Sequence, residues 1–404
     1  MVHERVPRLG GMAETVDVVT ERMAAGGDAL GRMPDGRVLF VAGALPGESV
    51  TVRVQQSKKD YAKGTVDHVL DPSPHRVQPA CPELARGCGG CSWQHVQPVA
   101  QVEMKADIVR DALRRTARMP DASVRVGGSV PAERYRTTLR LAVRDDGRVG
   151  FRAAGSHRVV AVDGCAVAHP VLSALLPGLR VRGAAELQVR VSGHSGELTA
   201  LPLDDRGRPV AAMVDGLPAA GAVGPDARLV ERVAGRSLRV SAPSFFQSGP
   251  DAAELLVSSV AAEVGAATGS FLDAYGGVGL FAATLAAPVD GEVVLVEGSA
   301  SSCADARVNL PAASVVHSRF EDWQPRPFDT VVADPSRSGL GAAAAAVVAA
   351  TGAARLVLVS CDPVAMARDA ALLAAHGYRH GGSTVLDLFP HTPHVEVVTA
   401  FQPA

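Results

Sequence analysis

From about residue 240 onward the chain alternates short apolar runs with helical stretches, and no other feature restricts its fold as much. Asp251–Val264 has helical spacing, Ser270–Ala274 reads as a short buried strand, and Leu280–Ala286 as the next helix. The rhythm continues through strand Glu292–Val296, helix Ser299–Asn309, strand Thr330–Ala333, helix Ala342–Ala350, strand Arg355–Ser360 and helix Val364–Ala375, then strands near Ser383–Leu388 and Val395–Ala400. Short runs that are apolar throughout suit strands covered on both faces. Alternation with helices therefore predicts an α/β domain with a mostly parallel, doubly wound sheet, whose ligands collect in loops at the carboxyl ends of the strands.

The first part of the chain is different. Thr15–Thr20, Arg37–Val41, Ser49–Gln55 and Tyr61–Val69 read as short strands separated by Ala25-Gly26-Gly27-Asp28, Pro34-Asp35-Gly36 and Leu45-Pro46-Gly47, a spacing that predicts a small barrel of the OB-like kind. Residues 98–118 carry Val99, Val102, Ile108, Val109 and Leu113 on one helical face, and 134–203 again read as strands. Three segments follow: 11–70 as a barrel, 71–240 as a β-rich middle domain whose helix at about 98–118 packs on the next domain, and 241–404 as the α/β domain.

Charge is also uneven along the chain. Residues 1–180 hold 25 Lys and Arg against 19 Asp and Glu, a net of +6, whereas the remainder is at −8. A basic half within a chain of net charge −2 is the footprint of a nucleic-acid partner. No run of apolar residues is long enough to span a membrane, and the charged beginning (Glu4, Arg5, Glu14, Asp17, Glu21) lacks the apolar core of a signal peptide, so a cytoplasmic protein is expected.

Five motifs carry chemistry. Asp273-Ala274-Tyr275-Gly276-Gly277-Val278-Gly279 follows a strand and opens a helix, and Glu297 ends the next strand; a glycine turn followed by an acid suits a nucleoside cofactor, the acid accepting the ribose hydroxyls. Ala333-Asp334-Pro335-Ser336-Arg337 and Val359-Ser360-Cys361-Asp362-Pro363 each follow a strand, which places a carboxylate and a thiol at the crevice. His394-Val395-Glu396 puts a carboxylate in an apolar strand, where it needs a role or a partner. Finally, Cys81, Cys88, Cys91 and the distant Cys165 form a thiol set that suits an iron–sulfur cluster, with zinc as the rival occupant.

In this order the motifs resemble the family of RNA 5-methyluridine methyltransferases, over nearly the whole chain. The opening segment is similar to a TRAM domain through Gly26-Gly27-Asp28-Ala29-Leu30-Gly31-Arg32 and Val41-Ala42-Gly43-Ala44-Leu45-Pro46-Gly47-Glu48. Ser360-Cys361-Asp362-Pro363 resembles the family's nucleophile motif, and Phe389-Pro390-His391-Thr392-Pro393-His394-Val395-Glu396 its closing signature. The resemblance implies a Rossmann-like class I methyltransferase domain, with Cys361 as nucleophile and Glu396 as base. It also implies S-adenosylmethionine (SAM) held by Gln247 (of Phe245-Phe246-Gln247), Tyr275, Gly277, Glu297 and Asp334, and a [4Fe-4S] cluster on Cys81, Cys88, Cys91 and Cys165. The implied partner is ribosomal or transfer RNA, the implied state a monomer, and the alternative a non-catalytic RNA-binding iron–sulfur protein. The chain departs from the family in having six residues between Cys81 and Cys88 rather than five. It also has Gly276 in place of a Cys, Ser336 in place of a second Pro, and Ser248 and Leu280 where Asn is usual.

Overall fold

The computed structural model describes residues 14–265, 269–286 and 290–404. The expected barrel start at residue 11 lies outside them. The chain divides into two compact units, Met1–Gln78 with His95–Gln97, and Pro79–Gln94 with Pro98–Ala404.

In the first unit six strands form one sheet in the order Thr15–Val19, Ser49–Ser57, Tyr61–Asp71, Val38–Ala42, Ala29–Arg32, Arg22–Met23. The last two were not expected from the sequence. They pair across the Ala24–Asp28 turn, where Gly26 and Gly27 both take positive φ. The strands wrap tightly: a Cβ on Gly64 would lie 2.5 Å from Val52 Cγ1 and 2.6 Å from the Arg53 carbonyl oxygen. Glu48 is fully buried and is satisfied by Arg76 and by the backbone N–H groups of Leu45 and Ser73.

The second unit is built on an eight-stranded sheet ordered Ser314–His317, Val293–Glu297, Phe271–Ala274, Thr330–Ala333, Arg355–Ser360, Glu396–Pro403, Tyr378–Asp387, Val124–Ser129. The first five are parallel, and Glu396–Pro403 runs antiparallel to both neighbours. Sequence order reverses on either side of Phe271–Ala274, which sits between Val293–Glu297 and Thr330–Ala333. That reversal opens a crevice at the carboxyl edge. The eighth strand, from the middle segment, adds in parallel beside Tyr378–Asp387. A second, six-stranded sheet holds Thr138–Val143, Glu186–Val191 and Leu198–Leu203 at its centre and packs its apolar face on helix Pro170–Leu175.

Helix Pro98–Ala112 continues as a π-helical turn over Leu113–Ala117 and ends at Arg118 in the left-handed region. Its Ala106, Val109 and Leu113 share a core with Leu358, Met366 and Val385. Of the expected apolar face Val102, Ile108, Val109 and Leu113 are buried, whereas Val99 is 73% exposed and Lys105 turns inward. Lys105 is fully buried, its Nζ 2.6 Å from Asp387 Oδ1 and 3.2 Å from the Phe389 carbonyl oxygen. Burial pulls the ammonium below its usual pKa, and Asp387 pulls the other way. Removing one partner of such a pair strands a buried charge, whereas replacing both by apolar groups is often neutral. Lys105→Met should therefore cost about 3–5 kcal/mol. By calorimetry this is a fall in Tm on the order of 5–10 °C, and adding Asp387→Leu should recover most of it.

Candidate active site

Strand register brings the predicted residues into one row. Ala274 pairs with Val296 on one side and Ala333 on the other, so Tyr275, Glu297 and Asp334 emerge together at the carboxyl edge. Asp334 N–H bonds to the Ala274 carbonyl oxygen at 3.2 Å. Ser360 pairs with Val397, which sets Cys361 beside Glu396 at the same edge, because Glu396 begins the one strand running the other way.

The glycine loop is shaped by backbone needs. Tyr275, Gly277 and Gly279 have φ of 61°, 56° and 94°. Gly276 has no room for a side chain: a Cβ there would meet Leu295 Cγ at 2.5 Å. Gly277 N–H donates to Glu297 Oε2 at 2.9 Å, and Ser299 N–H to Glu297 Oε1 at 2.6 Å. The two bonds fix the carboxylate while leaving lone pairs for a ligand's hydroxyls. Asn309, which the sequence did not single out, donates to the Val278 and Arg239 carbonyls and anchors the loop from helix Ala300–Asn309. Leu280 is buried in the core, and Ser248 Oγ donates to the Leu388 carbonyl oxygen. Tyr275 packs on Phe320 with ring centroids 5.1 Å apart.

Asp273 also belongs to the crevice. It is fully buried, Oδ2 accepts from Ala282 N–H at 2.8 Å, and Oδ1 has no hydrogen-bond partner among the described residues. Burial pushes its carboxyl up to about 7, and Asp334 and Glu297 add to the rise. Among the described residues none of Asp273, Glu297, Asp334 and Glu396 has an ion-pair partner. Carboxyl groups crowded together in this way raise one another's pKa, and a positively charged ligand beside them would relieve that repulsion.

Cys361 is half-buried, just before helix Pro363–Ala375, whose first turn is capped by the Asp362 side chain through Val364 and Ala365 N–H groups. A helix start favours a thiolate. Here burial wins and pushes the thiol up to about 11, helped by Glu396 and Asp334 and opposed by Arg337. Burial also raises Glu396, with Asp334 adding to it. Gln247 is buried just before helix Pro250–Val264, and its neighbour Phe246 shares a core with Val278 and Phe281 of the glycine loop and its helix.

The other cysteine set is also drawn together. Cys81, Cys88, Cys91 and Cys165, all free, line one cavity of about 50 Å³ with Leu84, Leu139, Phe151 and Val167 among its walls. Burial pushes the Cys91 thiol up to about 12, and the thiols of Cys165, Cys88 and Cys81 add to it. Gly89 lies so close to the neighbouring loop that a Cβ would fall 2.5 Å from Ala154 N. Among the described residues no group of three or more His, Cys, Asp or Glu side chains is placed to hold a single metal ion.

Sheet order, the glycine loop and an acid at the end of the next strand together define a class I SAM-dependent methyltransferase domain. Comparison with known proteins narrows this. Residues 13–66 match the TRAM domain model. The chain is 34% identical to an uncharacterised RNA methyltransferase of Streptomyces coelicolor, over 97% of this chain and 94% of that one. It is 30% identical to the 23S rRNA (uracil(1939)-C(5))-methyltransferase RlmD of Pectobacterium atrosepticum, over 91% and 89%. In three dimensions it resembles the Pyrococcus abyssi tRNA (uracil-54, C5)-methyltransferase, solved with S-adenosyl-L-homocysteine, with a TM-score of 0.71 and 23% identity over 96% of this chain and all of that one. The chain belongs to the TRAM-containing RNA (uracil-C5)-methyltransferase family. Among the described residues no helix is long and apolar enough to cross a membrane.

Proposed function

We propose that this protein methylates carbon 5 of a uridine in large-subunit ribosomal RNA, with Cys361 as covalent nucleophile and Glu396 as base. The observation that carries this reading is the strand register that sets a thiol and a carboxylate side by side, one residue beyond Ser360 and Val397, in the row that also holds Asp334, Tyr275 and Glu297.

Uracil C5 is a weak nucleophile. Addition of the Cys361 thiolate to C6 makes an enolate and loads electron density on C5, which splits one hard step into easier ones. When bound, SAM supplies an electrophilic methyl on a sulfonium. Glu297, fixed by Gly277 and Ser299, would take the ribose hydroxyls, and Tyr275, Gly277, Gln247 and Asp334 would complete the cofactor site. After methylation Glu396 removes the C5 proton, the C6–sulfur bond breaks, and the thiolate is regenerated. A carboxylate with a raised pKa is a stronger base, which suits that task.

Cys81, Cys88, Cys91 and Cys165 would hold a [4Fe-4S] cluster. Four thiols lining one largely apolar space would supply the thiolate ligands that such a cluster needs. Methyl transfer moves no net electron, so the cluster's role there is structural. Segment 11–70 would grip RNA, with Lys58, Lys59, Tyr61 and Lys63 as a basic and aromatic patch, segment 71–240 would carry the cluster, and 241–404 the chemistry. The site works as a monomer in the cytoplasm on this reading.

Ribosomal RNA is preferred because whole-length relatives at 30–32% identity are named for 23S rRNA. Nucleoside mass spectrometry of rRNA and tRNA fractions from cells with and without the gene tests it. 5-Methyluridine should be lost from rRNA; loss from tRNA alone would redirect the substrate, and no loss in either would end the proposal.

A further inference from the structure

Arg136 lines the cavity of the four thiols. Its backbone is pinned against the Cys165 segment, Arg136 N–H donating to the Val167 carbonyl oxygen and its own carbonyl accepting from His169 N–H, both at 2.8 Å. Its Nε is fully buried and meets no acceptor among the described residues. Arginines nearby behave differently: Arg140 and Arg152 share Glu186 at 2.6 and 3.0 Å. A guanidinium has five N–H donors and stays charged at every physiological pH. To withdraw part of it from water with no acceptor is costly, so the arrangement calls for an anionic partner inside the cavity. Glu83 also lines that space, but its carboxylate already accepts from Arg86 and from the Asp163 N–H.

We propose that Arg136 is the counter-charge of the iron–sulfur cluster, donating hydrogen bonds to its sulfur atoms and offsetting the negative charge of the four thiolates. This rests on the cluster reading above. A cluster carried by four thiolates is anionic, and each added electron deepens that charge. Cations and N–H donors at the sulfurs therefore favour the reduced form and raise the reduction potential. The apolar walls Leu84, Leu139, Phe151 and Val167 keep the local dielectric low, so one positive charge acts strongly there.

The test uses the full chain, purified without oxygen, as wild type, Arg136→Lys and Arg136→Met. Iron and acid-labile sulfide are measured first, then the midpoint potential of the one-electron couple by dye-mediated titration. Wild type should hold both elements, Arg136→Met should show a lower midpoint potential, and Arg136→Lys should stay close to wild type. If the Met variant fails to retain iron while the Lys variant retains it, with equal melting temperatures, the counter-charge role is equally supported. A wild-type midpoint in an iron-replete Met variant overturns the proposal. So does an unchanged midpoint together with weaker RNA binding and a salt slope reduced by about 1, which would make Arg136 a phosphate ligand instead. Absence of iron from wild type is a separate result, because it removes the cluster reading itself.

Discussion

Replacing Cys361 with alanine should abolish methyl transfer, by on the order of 10⁴-fold or more, since loss of a covalent nucleophile disables the whole catalytic unit. The same variant should still bind RNA and SAM, because alanine removes only a half-buried thiol and leaves the backbone in place. RNA containing 5-fluorouridine supplies the direct readout. Fluorine cannot leave C5 as a proton does, so the wild-type enzyme should stay attached to its RNA as a methylated adduct that survives denaturation, and Cys361→Ala should form none. A trapped adduct in the alanine variant would show that another group attacks C6.

The electrostatics around that thiol give the pH dependence. In the free protein the thiol sits near 11, raised by burial and then by Glu396 and Asp334. The thiolate fraction below that value grows about tenfold per pH unit. kcat/KM, which reports the free enzyme, should therefore climb steadily from pH 6 to pH 9. A bound sulfonium places a positive charge among the same carboxylates and favours the thiolate. kcat at saturating donor should level off at lower pH than kcat/KM; coincident profiles would contradict this account.

Glu396→Gln should reduce turnover by about 10²–10⁴-fold, the usual range for a positioned general base. The failure should come late. Glutamine keeps the volume and removes a carboxyl group that raises the Cys361 thiol, so the addition of Cys361 to C6 is not impeded. Without a base at C5, a methylated covalent adduct should accumulate on ordinary uridine RNA, visible as a retarded protein band containing both RNA and labelled methyl. Slow turnover with no accumulated adduct would place the base elsewhere, with Asp334 the adjacent carboxylate to examine.

Much of the catalytic half was legible because its signals are local. Thr330–Ala333 and Arg355–Ser360 lie on the residues that the apolar runs marked, and Asp251–Val264 is a helix with one residue added at its start. Less legible were elements that depend on distant partners. Val124–Ser129 looks unremarkable in sequence and becomes a strand because Tyr378–Asp387 offers it a free edge. Val99 fits the periodic face of its helix but is exposed in the first turn, whereas Lys105 is buried against Asp387, 282 residues away.

The sequence by itself determined the repertoire: which strands are short and apolar, where the glycine loop lies, and which thiols and acids stand at strand ends. Periodicity, turn residues and motif spacing act over a few residues, and a linear chain displays them directly. Only the tertiary structure decided who meets whom. The antiparallel insertion of Glu396–Pro403 carries Glu396 to Cys361, Asn309 reaches back to the glycine loop, and Arg136 ends among four thiols with its buried Nε unpartnered among the described residues. Those encounters depend on long-range strand register and on the cost of burying charge, and neither is written in any local stretch of sequence.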